Sequence, residues 1–313
     1  MIHISEADVR RLLSYPKAIE LVRDAYKDLA LGKAENPDRV ILRVLGGASM
    51  FFMPGHIHGQ KYVTMKAARV NPENAKASLP VVMSTVYVYD SQTCEQVAEV
   101  EAELLTMMRT AASAAVATGS LARKDAKVLG VFGSGREASA HIAALVEVRK
   151  FDRVLVYSRD DRRREMFAKE MTEKHGLTVE PATSPNDVAA EADVVVTATT
   201  SGDPVFDGKK VRKGSMVNSI GNAVPEGREV DSELVKRSTV VVDLKSQALT
   251  TYGDIMKPIK EDAIRAEEIL ELGDLLVGIS KLPDQTDVTL FKSGGVAILD
   301  AAVANYLLES VRA

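Results

Sequence analysis

The chain has 313 residues, room for two domains, and its 46% apolar and 27% charged content is that of a globular enzyme. Its 40 Lys and Arg against 44 Asp and Glu leave a net charge of −4, which argues against a nucleic-acid partner. The single cysteine, Cys94, excludes an intrachain disulfide, and with no basic leader and no long apolar run the expectation is a cytoplasmic chain that does not enter a membrane.

Ser5 and Asp8 have the spacing of a capping box at the start of a first helix. Ile19, Val22, Ala25, Tyr26 and Leu29 fall at helical spacing in a second, which ends near Gly32. After Asn36-Pro37 the pattern changes to strands at Arg39–Val44, Ser49–Met53, Lys61–Val70 and Val81–Tyr89, with a polar loop at Asn71–Ser78. A turn from Asp90 leads into Gln96–Val100. Glu101–Ala122 is a long helix whose alanines at 111, 112, 114, 115 and 117 predict tight packing.

From Lys127 strands alternate with helices. Lys127–Phe132 reads as a buried strand, Gly133-Ser134-Gly135 as a tight turn, and Arg136–Val148 as a helix. The first glycine permits the turn, and the second lets backbone amides approach a pyrophosphate. Ala138 allows close helix–strand packing, and the helix N-terminus favours the anion. Further strands are predicted at Val154–Ser158, Thr178–Pro181, Val194–Ala198, Met216–Ile220 and Val240–Leu244. Helices are predicted at Asp161–Lys174, after Ser184-Pro185, at Ala263–Leu272 and at Gly294–Val311. This is a doubly wound parallel sheet. The second strand ends in Ser158-Arg159 where an NAD site commonly carries an acid, so the pattern leans to NADP(H), with NAD(H) possible. Lys66 in an apolar strand, Arg109 in mid-helix and Arg39 at a strand start are cations that would form an anion site if they converged. No metal is expected.

In order and separation, Pro37-Asp38-Arg39, Met53-Pro54, Lys66, Arg109-Thr110-Ala111-Ala112, Gly133 through Ala138, Asn218 through Gly221, Arg228 through Asp231 and Thr289 through Gly294 resemble the ornithine cyclodeaminase/mu-crystallin family. The likeness covers essentially the whole chain. It implies an α/β fold: a Rossmann domain at 121–289, and a β-rich (α+β) substrate and dimerisation domain built from 1–120 and 290–313. It also implies a homodimer. Arg39, Lys66 and Arg109 would bind the substrate carboxylate, with Lys66 and Arg109 catalytic, and Ser293 would lie near the nicotinamide. With the glycine turn, the expected cofactor contacts are Thr110, Gly133, Ser134, Gly135, Arg136, Glu137, Ala138, Ser158, Arg159, Thr197, Ala198, Ser219, Gly221 and Ser293.

One departure shapes the expected activity. The family's cyclodeaminases and alanine dehydrogenases resemble one another in an aspartate two positions after the glycine matching Gly221; here that position is Ala223. The resemblance then points to an NAD(P)H-dependent reductase of small cyclic 2-imino acids. The expected substrates are Δ1-pyrroline-2-carboxylate, giving L-proline, and Δ1-piperideine-2-carboxylate, giving L-pipecolate. An amino-acid dehydrogenase or an ornithine cyclodeaminase is the alternative, and an NADPH-binding protein without turnover a third reading.

Overall fold

In the computed structural model, which describes residues 1–44, 47–77, 79–283 and 287–313, a strand β1 (Ile2–Ile4) precedes helices α1 (Glu6–Leu12) and α2 (Tyr15–Ala30). Ser5 and Asp8 form the reciprocal capping box that the sequence predicts, and Ser14 caps α2. Next come β2 (Ala34–Glu35), β3 (Val40–Arg43), β4 (Ser49–Ile57), β5 (Tyr62–Val70), β6 (Val82–Asp90) and β7 (Gln96–Glu101), then α3 (Glu103–Leu121). The predicted loop at 71–78 is a 3-10 helix over Pro72–Ala77, and Ser78 lies outside the described residues.

The rest alternates: β8 (Val128–Phe132), α4 (Arg136–Leu145), β9 (Arg153–Tyr157), α5 (Asp161–His175), β10 (Val179–Pro181), α6 (Pro185–Glu191), β11 (Val194–Thr197) and β12 (Met216–Ser219). Then follow α7 (Ser232–Lys236), β13 (Ser238–Val242), α8 (Lys245–Thr251), α9 (Gly253–Lys260), β14 (Leu270–Glu271), α10 (Leu272–Val277), β15 (Val288–Lys292) and α11 (Ala297–Arg312). Two units result, Met1–Thr110 with Gly295–Ala313, and Ala111–Gly294.

The first unit is a sheet in the order β1-β7-β6-β5-β4-β2, with β3 also paired to β4. β1 runs parallel to β7, and the other pairs are antiparallel. The last helix, α11, packs on α2, β4 and β5. It is apolar nearly all round and buried for most of its length, as such a helix must be. Its close approach explains Gly55 inside β4: a Cβ there would stand 3.0 Å from the Ala297 carbonyl carbon. β3 has no such cover, and Val40, Ile41 and Leu42 are exposed.

The second unit is an eight-stranded, all-parallel sheet in the order β10-β9-β8-β11-β12-β15-β13-β14. Its strands are short apolar runs buried on both faces, as helices on both sides require. The sequence reading does not name α7, α8 or α9, and two further stretches differ from it in kind. β15 slots between β12 and β13, where no strand is predicted. The predicted helix at Ala263–Leu272 is instead a 3-10 turn over Ala266–Glu268 followed by β14, and helix begins only at Leu272. There, pairing of Leu270 with Val241 and burial of Ile264, Ile269 and Leu272 override local helix propensity. Among the described residues no helix is long and apolar enough to cross a membrane.

Candidate functional site

Three cations converge in the first unit. Lys66 points from β5 into the interior and is 2% exposed, and Arg109, on α3, is 4% exposed. Burying such groups is costly without a counter-charge. Asp300 of α11 supplies it: its Oδ1 accepts from Lys66 Nζ at 2.8 Å and from Arg109 Nε at 3.1 Å. Lys66 Nζ also donates to Thr106 Oγ1 at 2.6 Å. Arg39 donates to the Gly295 carbonyl at 2.7 Å. Gly295 has φ +78°, and a Cβ on it would lie 2.0 Å from Arg109 Nη1, so the missing side chain makes room for the guanidinium.

Among the described residues, Asp300 is one carboxylate set against two buried cations, Lys66 and Arg109. Burial pushes the Lys66 ammonium down to about 8; Asp300 opposes that fall, while Arg109 and Arg39 add to it. Burial acts to raise the Asp300 carboxyl, but Arg109 and Lys66 more than reverse this and hold it below the usual carboxylate range. Among the described residues, the two Nη groups of Arg109 have no hydrogen-bond partner. The site therefore offers a planar guanidinium fork suited to a carboxylate, beside an ammonium that can release a proton near neutral pH. Asp300, Gly295 and Thr106 are the residues of this cluster that sequence reasoning missed. The available signal was that Asp300 is the one charged residue between Lys292 and Glu309, in a mostly apolar stretch.

In the second unit, Gly133 turns the chain after β8 with φ +122°, and a Cβ on it would stand 2.6 Å from the Ala198 carbonyl oxygen. Gly135 caps α4 with no side-chain hydrogen bond, leaving the first amides of the helix to a ligand. A Cβ on Gly135 would meet nothing within 4 Å. The turn opens on a cleft of about 610 Å³ lined by Gly133, Ser134, Gly135, Ser158, Arg159 and Ala198 among others. Arg163 also lines it, as do two acids, Asp160 and Asp203. Asp160 caps α5 by accepting from Arg163 N. The buried Arg164 stabilises the end of β9 by donating to the Ser158 carbonyl. The sequence reading named neither arginine. A backbone turn with no Cβ in the way and free helix amides fits the pyrophosphate of a dinucleotide.

The other expected cofactor contacts lie elsewhere. Thr110 donates back to the Thr106 carbonyl within α3. Arg136 is exposed in the first turn of α4, Glu137 accepts at its carbonyl from His141, and Ala138 is buried beneath the turn. Thr197, Ser219 and Ser293 are buried, and their hydroxyls go to Glu229, Asp254 and Asp243 respectively. Gly221 N donates to Glu229 Oε2 at 2.7 Å. Glu229 is thus a clamp that the sequence did not reveal. It has no exposed surface, and it accepts from Thr197 at the end of β11, from Thr199 just beyond it, and from Gly221 and Asn222 after β12.

A glycine-turn parallel sheet and a β-rich unit with a buried cation cluster define a two-unit α/β protein of Rossmann type. The chain belongs to the ornithine cyclodeaminase/mu-crystallin family, whose sequence profile matches residues 2–313. It is 34% identical to a Δ1-pyrroline-2-carboxylate reductase of Bacillus cereus over 314 aligned residues, 99% of this chain and 96% of that protein. It is similar to the solved Thermococcus litoralis Δ1-pyrroline-2-carboxylate reductase in complex with NADH and L-proline, with TM-score 0.96, 35% identity and coverage of 100% of this chain and 98% of that one. An archaeal alanine dehydrogenase dimer with bound NAD has TM-score 0.93 at 29% identity, covering 100% of this chain and 96% of that one.

Proposed function

We propose that this protein reduces small cyclic 2-imino acids with a nicotinamide dinucleotide, Δ1-pyrroline-2-carboxylate to L-proline and Δ1-piperideine-2-carboxylate to L-pipecolate. The observation that carries the reading is the excess positive charge around Lys66, with the Arg109 fork open and a lysine proton available near pH 8. Arg109 and Arg39 hold the carboxylate of the substrate. Lys66 donates a proton to the imine nitrogen, which makes the adjacent carbon a better hydride acceptor. A bound reduced nicotinamide would supply the hydride to that carbon. The C=N bond would gain that hydride at carbon and one proton, from Lys66, at nitrogen. The names of the Bacillus and Thermococcus relatives support the ring substrate.

Ala223 disfavours the cyclodeaminase alternative. It is partly buried against the apolar core of the second unit and offers no proton acceptor. The unit Ala111–Gly294 is proposed to bind the dinucleotide, and Ser158, Arg159 and Arg163 support NADP(H) over NAD(H). The other unit is proposed to bind substrate and to pair with a second copy, for which the exposed Val40, Ile41 and Leu42 of β3 offer an apolar surface. The test is a panel of cyclic and open-chain 2-imino acids assayed with NADH and NADPH. Reduction of open-chain imines alone would replace this reading with an amino-acid dehydrogenase.

A further inference from the structure

Asp300 lies on α11, 234 residues from Lys66 in sequence, yet meets it at 2.8 Å. A simple structural ion pair would need nothing more. Two further observations give it a direction. First, Lys66 Nζ has a second fixed acceptor, Thr106 Oγ1 at 2.6 Å. An ammonium carries three N–H donors. With two fixed, the third has one direction left. Second, once that third proton is given away, the neutral amine still has two N–H groups. These are the two that Asp300 and Thr106 accept, so the lone pair points where the proton went. The same geometry then serves the charged and the neutral lysine.

We propose that Asp300, together with Thr106, is a positioning residue that aims one N–H of Lys66 at the substrate nitrogen and holds that aim through proton transfer. This rests on the reading of Lys66 as the proton donor. Asp300 also anchors Arg109 Nε, so one carboxylate sets both the fork that binds the substrate carboxylate and the lysine that protonates its imine. Among the described residues, the charged groups that act on Lys66 are Asp300 from α11, Arg109 from α3 and Arg39 from the segment before β3. Asp300 is the only one of these that favours the ammonium. Bookkeeping of the proton is closed: Lys66 gives H⁺ to the imine nitrogen in the step that adds hydride to carbon, and regains H⁺ from water afterwards.

The test is the pH profile of kcat/KM, which reports groups of the free enzyme, for the wild-type chain, Asp300→Asn and Thr106→Val with a cyclic imino acid. The wild type should lose activity as pH rises through about 8, as Lys66 deprotonates. Asp300→Asn removes the charge that favours the ammonium, so its alkaline limb should move to lower pH by roughly 1–3 units. Its kcat/KM at neutral pH should fall roughly 100-fold. Thr106→Val leaves the charges intact. Its kcat/KM should fall with the limb nearly unmoved, which decides the matter if Asp300→Asn does not fold. Dinucleotide affinity, measured by NADPH fluorescence, should be the same in all three. A wild type that is active with a limb near 8, beside variants of unchanged kcat/KM and unchanged limb, would overturn the positioning role while leaving the reductase reading in place. A wild type that reduces no cyclic imino acid would overturn the reading itself.

Discussion

Substituting Gly295 by alanine should disable the site without touching a charged residue. The added Cβ would sit 2.0 Å from Arg109 Nη1 and 2.8 Å from its Cζ, so the guanidinium must move. The backbone at φ +78° adds a strain of roughly 1–2 kcal/mol for a residue with a Cβ. A displaced Arg109 loses its bond to Asp300 and its fork toward the substrate carboxylate. Loss of a charged partner costs about 2–5 kcal/mol, or roughly 30- to 5,000-fold in kcat/KM. Arg109→Ala should produce a loss of similar size. The double variant should then be little worse than either single one, because both remove the same contact. The assay is kcat/KM for Δ1-pyrroline-2-carboxylate in the four-member cycle, with NADPH affinity as a control for folding. Gly295→Ala within threefold of wild type (roughly 0.65 kcal/mol) would refute the reasoning, as would losses that simply multiply.

Three other outcomes follow from the second unit. Ser158→Asp with Arg159→Val should move preference from NADPH toward NADH, because the new carboxylate bonds a ribose hydroxyl and repels a 2′-phosphate; equal wild-type efficiency with both cofactors would show that Ser158 and Arg159 do not select. Glu229→Gln should lower thermal stability by roughly 1–3 kcal/mol. Oε1 accepts from Thr199 N and Oε2 from Gly221 N, so either amide orientation sets an NH₂ against a backbone N–H. An unchanged Tm would contradict that count. L-Ornithine should release no ammonia, since its distal amine, with a pKa near ~10.4, has no carboxylate to deprotonate it at Ala223; ornithine turnover as fast as imine reduction would sink the assignment.

The parts of this protein that depend on neighbours in sequence were readable, and those that depend on distant partners were not. Gly133-Ser134-Gly135 between an apolar strand and a helix announces its turn locally, and the alternating strands and helices after it give the parallel sheet. β15 was missed because five residues, Val288–Lys292, are too few to show a period, and only pairing with β12 and β13 makes them a strand. Lys66 stood out as a cation in an apolar strand, whereas Asp300 needed α11 folded back onto β5 before its partner could be named. The role of Gly295 appears only once Arg109 occupies the space a side chain would need. Thr197, Ser219 and Ser293 sit at strand ends, where a hydroxyl suits a ligand or a buried carboxylate equally well. The structure gives each of them a carboxylate.

The central claim is most directly tested by mixing the purified protein with Δ1-pyrroline-2-carboxylate and NADPH and following both nicotinamide oxidation and L-proline. The account predicts one L-proline for each NADPH consumed, with a rate that falls as pH rises through about 8 as Lys66 loses its proton. NADPH that binds but is never oxidised, or a rate that keeps rising above that pH, would contradict it.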